Sequence, residues 1–201
     1  MDAKLNNLVD CLQRRLFVEL EASGRHVHVT KEQAVRLFGH DLTEKRPLSQ
    51  PGQFLANERV TLVGETGKLS NVAVLGPARP EAQVEISETD ALGLGVKPPV
   101  RLSGCVSETP PATLEGPCGS VRLDHGVIVA QRHIHMSPED AALQHVSDGD
   151  VVKLKTLTAR PLIFEQVAVR VSDKFRTYAH LDYDEANACG YRSGDLGMIL
   201  P

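Results

Sequence analysis

The chain has 201 residues, 41% hydrophobic and 24% charged, with a formal net charge of −4, the composition of an ordinary soluble protein able to bury one large or two small cores. It carries no block of Lys/Arg that could displace counterions from a nucleic acid, so no nucleic-acid partner is expected. Its longest apolar stretches, such as Gly126 to Ala130, fall far short of the roughly 20 residues a bilayer span needs, and no membrane partner is expected either.

Residues 1–20 read as an N-terminal amphipathic helix, because Leu5, Leu8, Val9, Leu12 and Leu16 recur at helical spacing on one face. Such a helix either docks on the body of the protein or binds a partner. Asn6, Asn7, Asp10, Gln13, Arg14 and Arg15 interrupt any apolar core of a secretory signal, so an intracellular, reducing compartment is expected. Cys11, Cys105, Cys118 and Cys189 form no C-x-x-C pair and read as free thiols.

From Gly24 onward the text changes to short β-type runs: RHVHV, RVTLVG, KLSNVAVLG, AQVEIS, PVRLSG, SVRLD, GVIVAQRHIHM, DVVKLKT, LIFEQVAVRV and YAHLD. Turn formers separate them, among them Pro51-Gly52, Glu65-Thr66-Gly67, Gly116-Pro117 and Asp148-Gly149-Asp150. Many short strands with few long helices suggest a mainly β fold of small β-barrels with short α-helices.

The decisive feature is an internal repeat. Arg25-His26-Val27-His28-Val29-Thr30-Lys31-Glu32-Gln33-Ala34 returns as Arg132-His133-Ile134-His135-Met136-Ser137-Pro138-Glu139-Asp140-Ala141. Histidines at i and i+2 of a strand leave the same face of the sheet and can converge on one ion. Each strand then meets a helix N-cap, Thr30 or Ser137. Gln33 or Asp140 stands three residues on, in the manner of a capping box, and Pro138 suits the first helical turn of the second copy.

The repeat continues downstream, where Asn71-Val72-Ala73-Val74 aligns with Gln166-Val167-Ala168-Val169. The same register sets Arg79 against Lys174, Glu85 against His180, Asp90-Ala91 against Glu185-Ala186 and Gly95 against Gly190. Each half therefore gains a third candidate ligand: His26, His28 and Glu85 in one, His133, His135 and His180 in the other. Three N/O ligands with an open fourth position suit a catalytic zinc ion better than a structural one, and cobalt, nickel or manganese would also fit. His40, His125 and His145 have no duplicated partner and read as solvated or structural, while Asp148 and Asp150 flank Gly149 as turn residues.

The motifs GRHVHVT, LVGETGKLSNVAVLGPARPEAQVEIS, PVRLSG, GVIVAQRHIHMSPEDA and AHLDYDEANACG resemble the PduL-type phosphate acyltransferases, also called phosphotransacylases or phosphate propanoyltransferases. The resemblance runs from about Arg25 to Gly190. It implies an enzyme that interconverts a short-chain acyl-CoA plus phosphate with acyl phosphate plus coenzyme A. It also implies two β-barrels around a two-metal site and a homodimer or higher oligomer. In the family the ligands are those inferred from the repeat, and the Arg of GPAR, here Arg79, binds phosphate. By the same resemblance residues 25–129 form a central β-barrel, and 21–24 plus 130–201 a second one. Members associated with bacterial microcompartments carry an amphipathic segment that directs them into the shell, which gives residues 1–20 a second role and makes shell proteins a candidate partner. The chain departs from the family pattern at Pro80, at Cys105 and over Glu108-Thr109-Pro110-Pro111-Ala112, and none of these removes a ligand. Two other readings fit the residues alone: a hydrolase that activates water at the open metal positions, and a non-catalytic barrel that the ions stabilise.

Overall fold

The structure, a computed structural model, describes residues 3–200. In chain order they form α1 (Ala3–Leu16), β1 (Val18–Ala22), β2 (His26–His28), α2 (Lys31–Phe38), β3 (Glu44–Pro47), β4 (Phe54–Val63), β5 (Lys68–Gly76), β6 (Gln83–Ile86) and α3 (Glu88–Leu94). There follow β7 (Val100–Arg101), β8 (Ala112–Glu115), β9 (Ser120–Leu123), β10 (Val127–Ala130), β11 (His133–Met136) and α4 (Pro138–Gln144). The chain ends with β12 (Val151–Leu157), β13 (Ile163–Val171), β14 (Tyr178–Leu181), α5 (Tyr183–Cys189) and β15 (Leu196–Leu200). The fold is mainly β with short helices, as the sequence predicts.

Two compact units divide the chain. One comprises Gly24–Gln131 with Asp182–Asp184, and the other Met1–Ser23, Arg132–Leu181 and Glu185–Pro201. In the second unit six strands close a barrel in the order β1-β14-β11-β13-β12-β15. The first unit carries a nine-stranded half-barrel sheet running β7-β10-β6-β2-β5-β4-β8-β9, with β3 paired to β4. Their cores are separate. Val27, Leu37, Leu62, Val72, Val84 and Leu114 fill the first, and Leu20, Ile134, Met136, Leu154 and Val169 the second. Each fully buried aliphatic side chain of this kind contributes about 1.5–3 kcal/mol of transfer free energy.

The N-terminal segment differs from its sequence reading. Residues 1 and 2 of the expected helix lie outside the described residues, and the helix stops at Leu16. Val18 and Leu20 are buried while Glu19 between them is exposed, the period-2 pattern of a strand. The pairing of β1 with β14 and β15 takes these residues from the helix. Helix α1 is held to α4 mainly by polar contacts. Arg14 reaches Glu139 at 2.8 Å and Asp140 at 2.7 Å, and Gln144 donates to the Arg14 and Phe17 carbonyls. Its apolar face, Leu5, Leu8, Val9, Leu12 and Leu16, stays 45–56% exposed.

The two halves repeat one another in backbone detail. In each, the His-x-His strand lies between a parallel and an antiparallel neighbour: β2 between β5 and β6, β11 between β13 and β14. Asn71 in β5 and Gln166 in β13 both take positive φ, 59° and 57°, each beside an irregularity in the ladder with the preceding strand. Gly95 and Gly190, with φ of 73° and 66°, follow α3 and α5 in the left-handed conformation that lets a helix close. Each unit also holds the strand that precedes the other unit's His-x-His motif: β10 pairs with β6 in the first, β1 with β14 in the second.

Candidate metal centres

Cross-strand register assembles each triad. On β2 and β6, His26 stands opposite Glu85, with His28 two residues along and on the same face. On β11 and β14, His133 stands opposite His180, with His135 two residues along. In each triad the nearest donor atoms lie within 4.8 Å of one another. The helices that follow the triad strands are capped locally. Thr30 and Gln33 form a reciprocal capping box on α2, and Ser87 with Asp90 forms another on α3. Ser137 caps α4 by accepting from the Asp140 backbone, but the Asp140 carboxylate binds Arg14 and Thr177. An arginine precedes each His-x-His pair and is clamped by the helix beyond the third triad residue: Arg25 to Asp90 at 3.0 Å, Arg132 to Glu185 at 2.7 Å.

In the first triad His26, His28 and Glu85 are all buried. The Gly24 carbonyl, which can only accept, lies 2.8 Å from His26 Nδ1 and so fixes the proton there. His26 Nε2 faces Glu85 Oε1, 3.5 Å away. Burial disfavours a charge on His26, yet the Glu85 carboxylate raises its pKa above the ordinary value. Burial, reinforced by the charges of His26 and Arg79, pushes His28 down to about 2, so its imidazole is neutral near pH 7. His28 Nδ1 is buried and makes no well-formed hydrogen bond among the described residues, with the Leu75 carbonyl as the backbone neighbour of the ring. A buried nitrogen lone pair beside another imidazole and a carboxylate fits a divalent cation.

The second triad has three imidazoles. Ring centroids lie 4.6 Å apart for His133 and His135, and 4.9 Å from His180 to either. Phe175 stacks on His135 at 4.0 Å. An all-nitrogen donor set of this kind suits zinc and the later divalent transition metals. Behind it lies a carboxylate that sequence reasoning missed: Glu21 of β1 is the parallel-strand neighbour of His180, with its Oε2 3.4 Å from His180 Nδ1. The corresponding strand pairing in the first unit sets buried Ile128 beside Glu85. Each triad thus has one carboxylate. In the first it belongs to the triad itself, and in the second it stands behind a histidine, where it can orient the ring and strengthen it as a ligand.

Arg79 is half-buried on the loop after β5, its backbone N–H donating to the Val29 carbonyl at 2.9 Å, one residue beyond His28. Its Nη1 donates to Ser103 Oγ at 3.2 Å. Ser103 also accepts from Gln83 Nε2 at 2.8 Å, and the same Gln83 nitrogen lies 2.5 Å from Glu85 Oε1. Neither Gln83 nor Ser103 is singled out by the repeat. The period-2 spacing of Gln83 and Glu85 on one strand was the available signal for the first. Lys174, aligned with Arg79 in the other half, is exposed.

The histidines and aspartates read as solvated, structural or turn residues take such positions. His125 meets Glu81 on the surface, exposed His40 lies beside its own loop, and His145 takes the left-handed C-cap position of α4. Asp148 and Asp150 accept the backbone N–H groups of Val171 and Ser147 around the turn at Gly149. All four cysteines are free, and no helix among the described residues is long and apolar enough to cross a membrane.

Fold and site together define a duplicated, mainly β protein with one His-x-His-centred triad in each half. The family model for phosphate propanoyltransferase matches residues 19–192. The chain is similar to a phosphate propanoyltransferase of Clostridioides difficile, 48% identical over 206 residues that cover 100% of this chain and 99% of the relative. A second relative of that name, from Listeria monocytogenes, is 49% identical with coverage of 98% and 95%, and one from Thermotoga maritima is 46% identical with the same coverage. The chain belongs to the phosphate propanoyltransferase family, a family of acyltransferases.

Proposed function

We propose that the protein is a phosphate acyltransferase that interconverts a short-chain acyl-CoA, propanoyl- or acetyl-CoA, plus phosphate with the acyl phosphate plus coenzyme A. An oxygen of hydrogen phosphate attacks the thioester carbonyl carbon, the new C–O bond forms as the C–S bond breaks, and coenzyme A leaves as the thiolate and takes up the proton that the phosphate loses. Two divalent ions, zinc by preference, held by His26, His28 and Glu85 and by His133, His135 and His180, would supply Lewis-acid charge for the thioester oxygen and the departing sulfur. Arg79 binds the phosphate. Its planar guanidinium offers a fork of donors that matches two phosphate oxygens and aims a third at the acyl carbon.

The observation that carries this reading is the position of Arg79: its backbone is tied to the end of β2 and its guanidinium is joined through Ser103 and Gln83 to Glu85. A hydrolase would need no such anion-binding cation beside its metal ligands. The test is release of coenzyme A from acetyl-, propanoyl- and butanoyl-CoA with and without phosphate. Release that depends strictly on phosphate and falls on the order of 100-fold in Arg79→Ala is the expected result. Release without phosphate, or a fully active Arg79→Ala, would refute it.

The reading extends to the surroundings. The exposed apolar face of α1, made by Leu5, Leu8, Val9, Leu12 and Leu16, suits contact with a microcompartment shell protein. On this reading the enzyme works in the lumen of a bacterial microcompartment, or otherwise in the bacterial cytoplasm. A fusion of residues 1–20 to a fluorescent protein should become punctate in shell-forming cells, and a diffuse signal would sink the assignment. A homodimer or higher oligomer, which sedimentation of the purified protein would reveal, completes the proposal.

A further inference from the structure

We propose that Gln83 and Ser103 are positioning residues that lock the phosphate-binding Arg79 to the metal ligand Glu85, so that one hydrogen-bonded unit sets both. This inference rests on the function proposed above for Arg79 and Glu85. Gln83 is buried on β6, two residues before Glu85, and period-2 geometry puts both side chains on one face. The Gly104 N–H donates to Gln83 Oε1 at 2.7 Å, which fixes the orientation of the amide and turns its NH2 group away. That NH2 then meets two acceptors, Glu85 Oε1 at 2.5 Å and Ser103 Oγ at 2.8 Å. Ser103 accepts in turn from Arg79 Nη1 at 3.2 Å.

Each link has a distinct consequence. The amide holds the Glu85 carboxylate in one rotamer, and outer-shell partners of this kind typically govern metal affinity by about 10- to 100-fold. Ser103 gives the guanidinium a fixed anchor at Nη1, which sets the orientation of its plane. Because Ser103 touches Arg79 and not Glu85, its loss should affect phosphate without affecting the ion, whereas Gln83 touches the ligand directly and should affect both.

The experiment uses the full chain in a His135→Ala background for zinc titration, so that only the first triad competes with a chromophoric chelator, and the otherwise unaltered chain for kinetics. Ser103→Ala should raise the KM for phosphate about tenfold, leave the KM for acyl-CoA and the zinc dissociation constant within about twofold, and be rescued by Ser103→Thr. Gln83→Leu should raise the zinc dissociation constant at least about tenfold and the phosphate KM with it. A wild-type phosphate KM in Ser103→Ala, or a folded Gln83→Leu protein with unchanged zinc affinity, would overturn the inference. Should Gln83→Leu fail to fold, the Ser103→Ala and Ser103→Thr pair decides. If the wild-type protein shows no phosphate-dependent release of coenzyme A, the proposed function fails, and the zinc constant, which needs no turnover, still judges Gln83.

Discussion

His26 lies directly opposite Glu85 across β2 and β6, in the same register that sets His133 opposite His180 across β11 and β14. The parallel neighbours agree as well, with His26 beside Ala73 and His133 beside Ala168. A duplicated backbone thus presents two triads that differ at one position, a carboxylate in one and an imidazole in the other. The difference in charge is partly redressed by Glu21, which the second unit places behind His180.

The role of Glu21 can be measured. Glu21→Ala should weaken zinc binding at the second triad by about 10- to 100-fold and leave the first triad unchanged. Chelator competition in a His28→Ala background isolates the second site. Equal zinc affinity with and without the Glu21 carboxylate would show that His180 is oriented by other neighbours.

The boundary between α1 and β1 gives a stability test. Leu20 is 1% exposed inside the closed barrel, so Leu20→Ala should cost about 2–5 kcal/mol in denaturant unfolding. Leu8, at 56% exposed on α1, should cost no more than about 0.5 kcal/mol beyond any propensity effect when replaced by alanine. Similar values for the two would argue against the strand.

Removal of metal separates catalytic ions from purely structural ones. Each unit has its own apolar core, so a chelator should lower Tm by removing a ligand of the native state yet leave the far-ultraviolet circular dichroism at 25 °C unchanged. Acyltransferase activity should vanish and return on adding zinc or cobalt. Unfolding on chelation would assign the ions to stability.

Much of the candidate site was legible because the repeat is carried by residues of contrasting type. The paired histidines mark the strands that carry the triads, and the apolar register from Ala73 to Ala168 places Glu85 and His180 without reference to their chemistry. Contacts made by the tertiary fold left no such mark. Val18 and Leu20 continue the apolar run of α1, and only pairing with a strand some 160 residues later makes them β. Glu21 meets His180 through that same pairing, and Ser103 reaches Gln83 from a loop 20 residues on. Asp140 reads as half of a capping box, but Arg14, 126 residues away in sequence, and Thr177 take its carboxylate.

The central claim, that each half of the chain binds one ion through its own triad, is tested most directly by elemental analysis of the purified protein beside His28→Ala and His135→Ala. The account predicts two zinc-type ions per chain in the wild type, one in each folded variant, and loss of phosphate-dependent acyl transfer in both variants. Fewer than two ions in the fully loaded wild type, or a folded His135→Ala protein that keeps both ions or full activity, would contradict it.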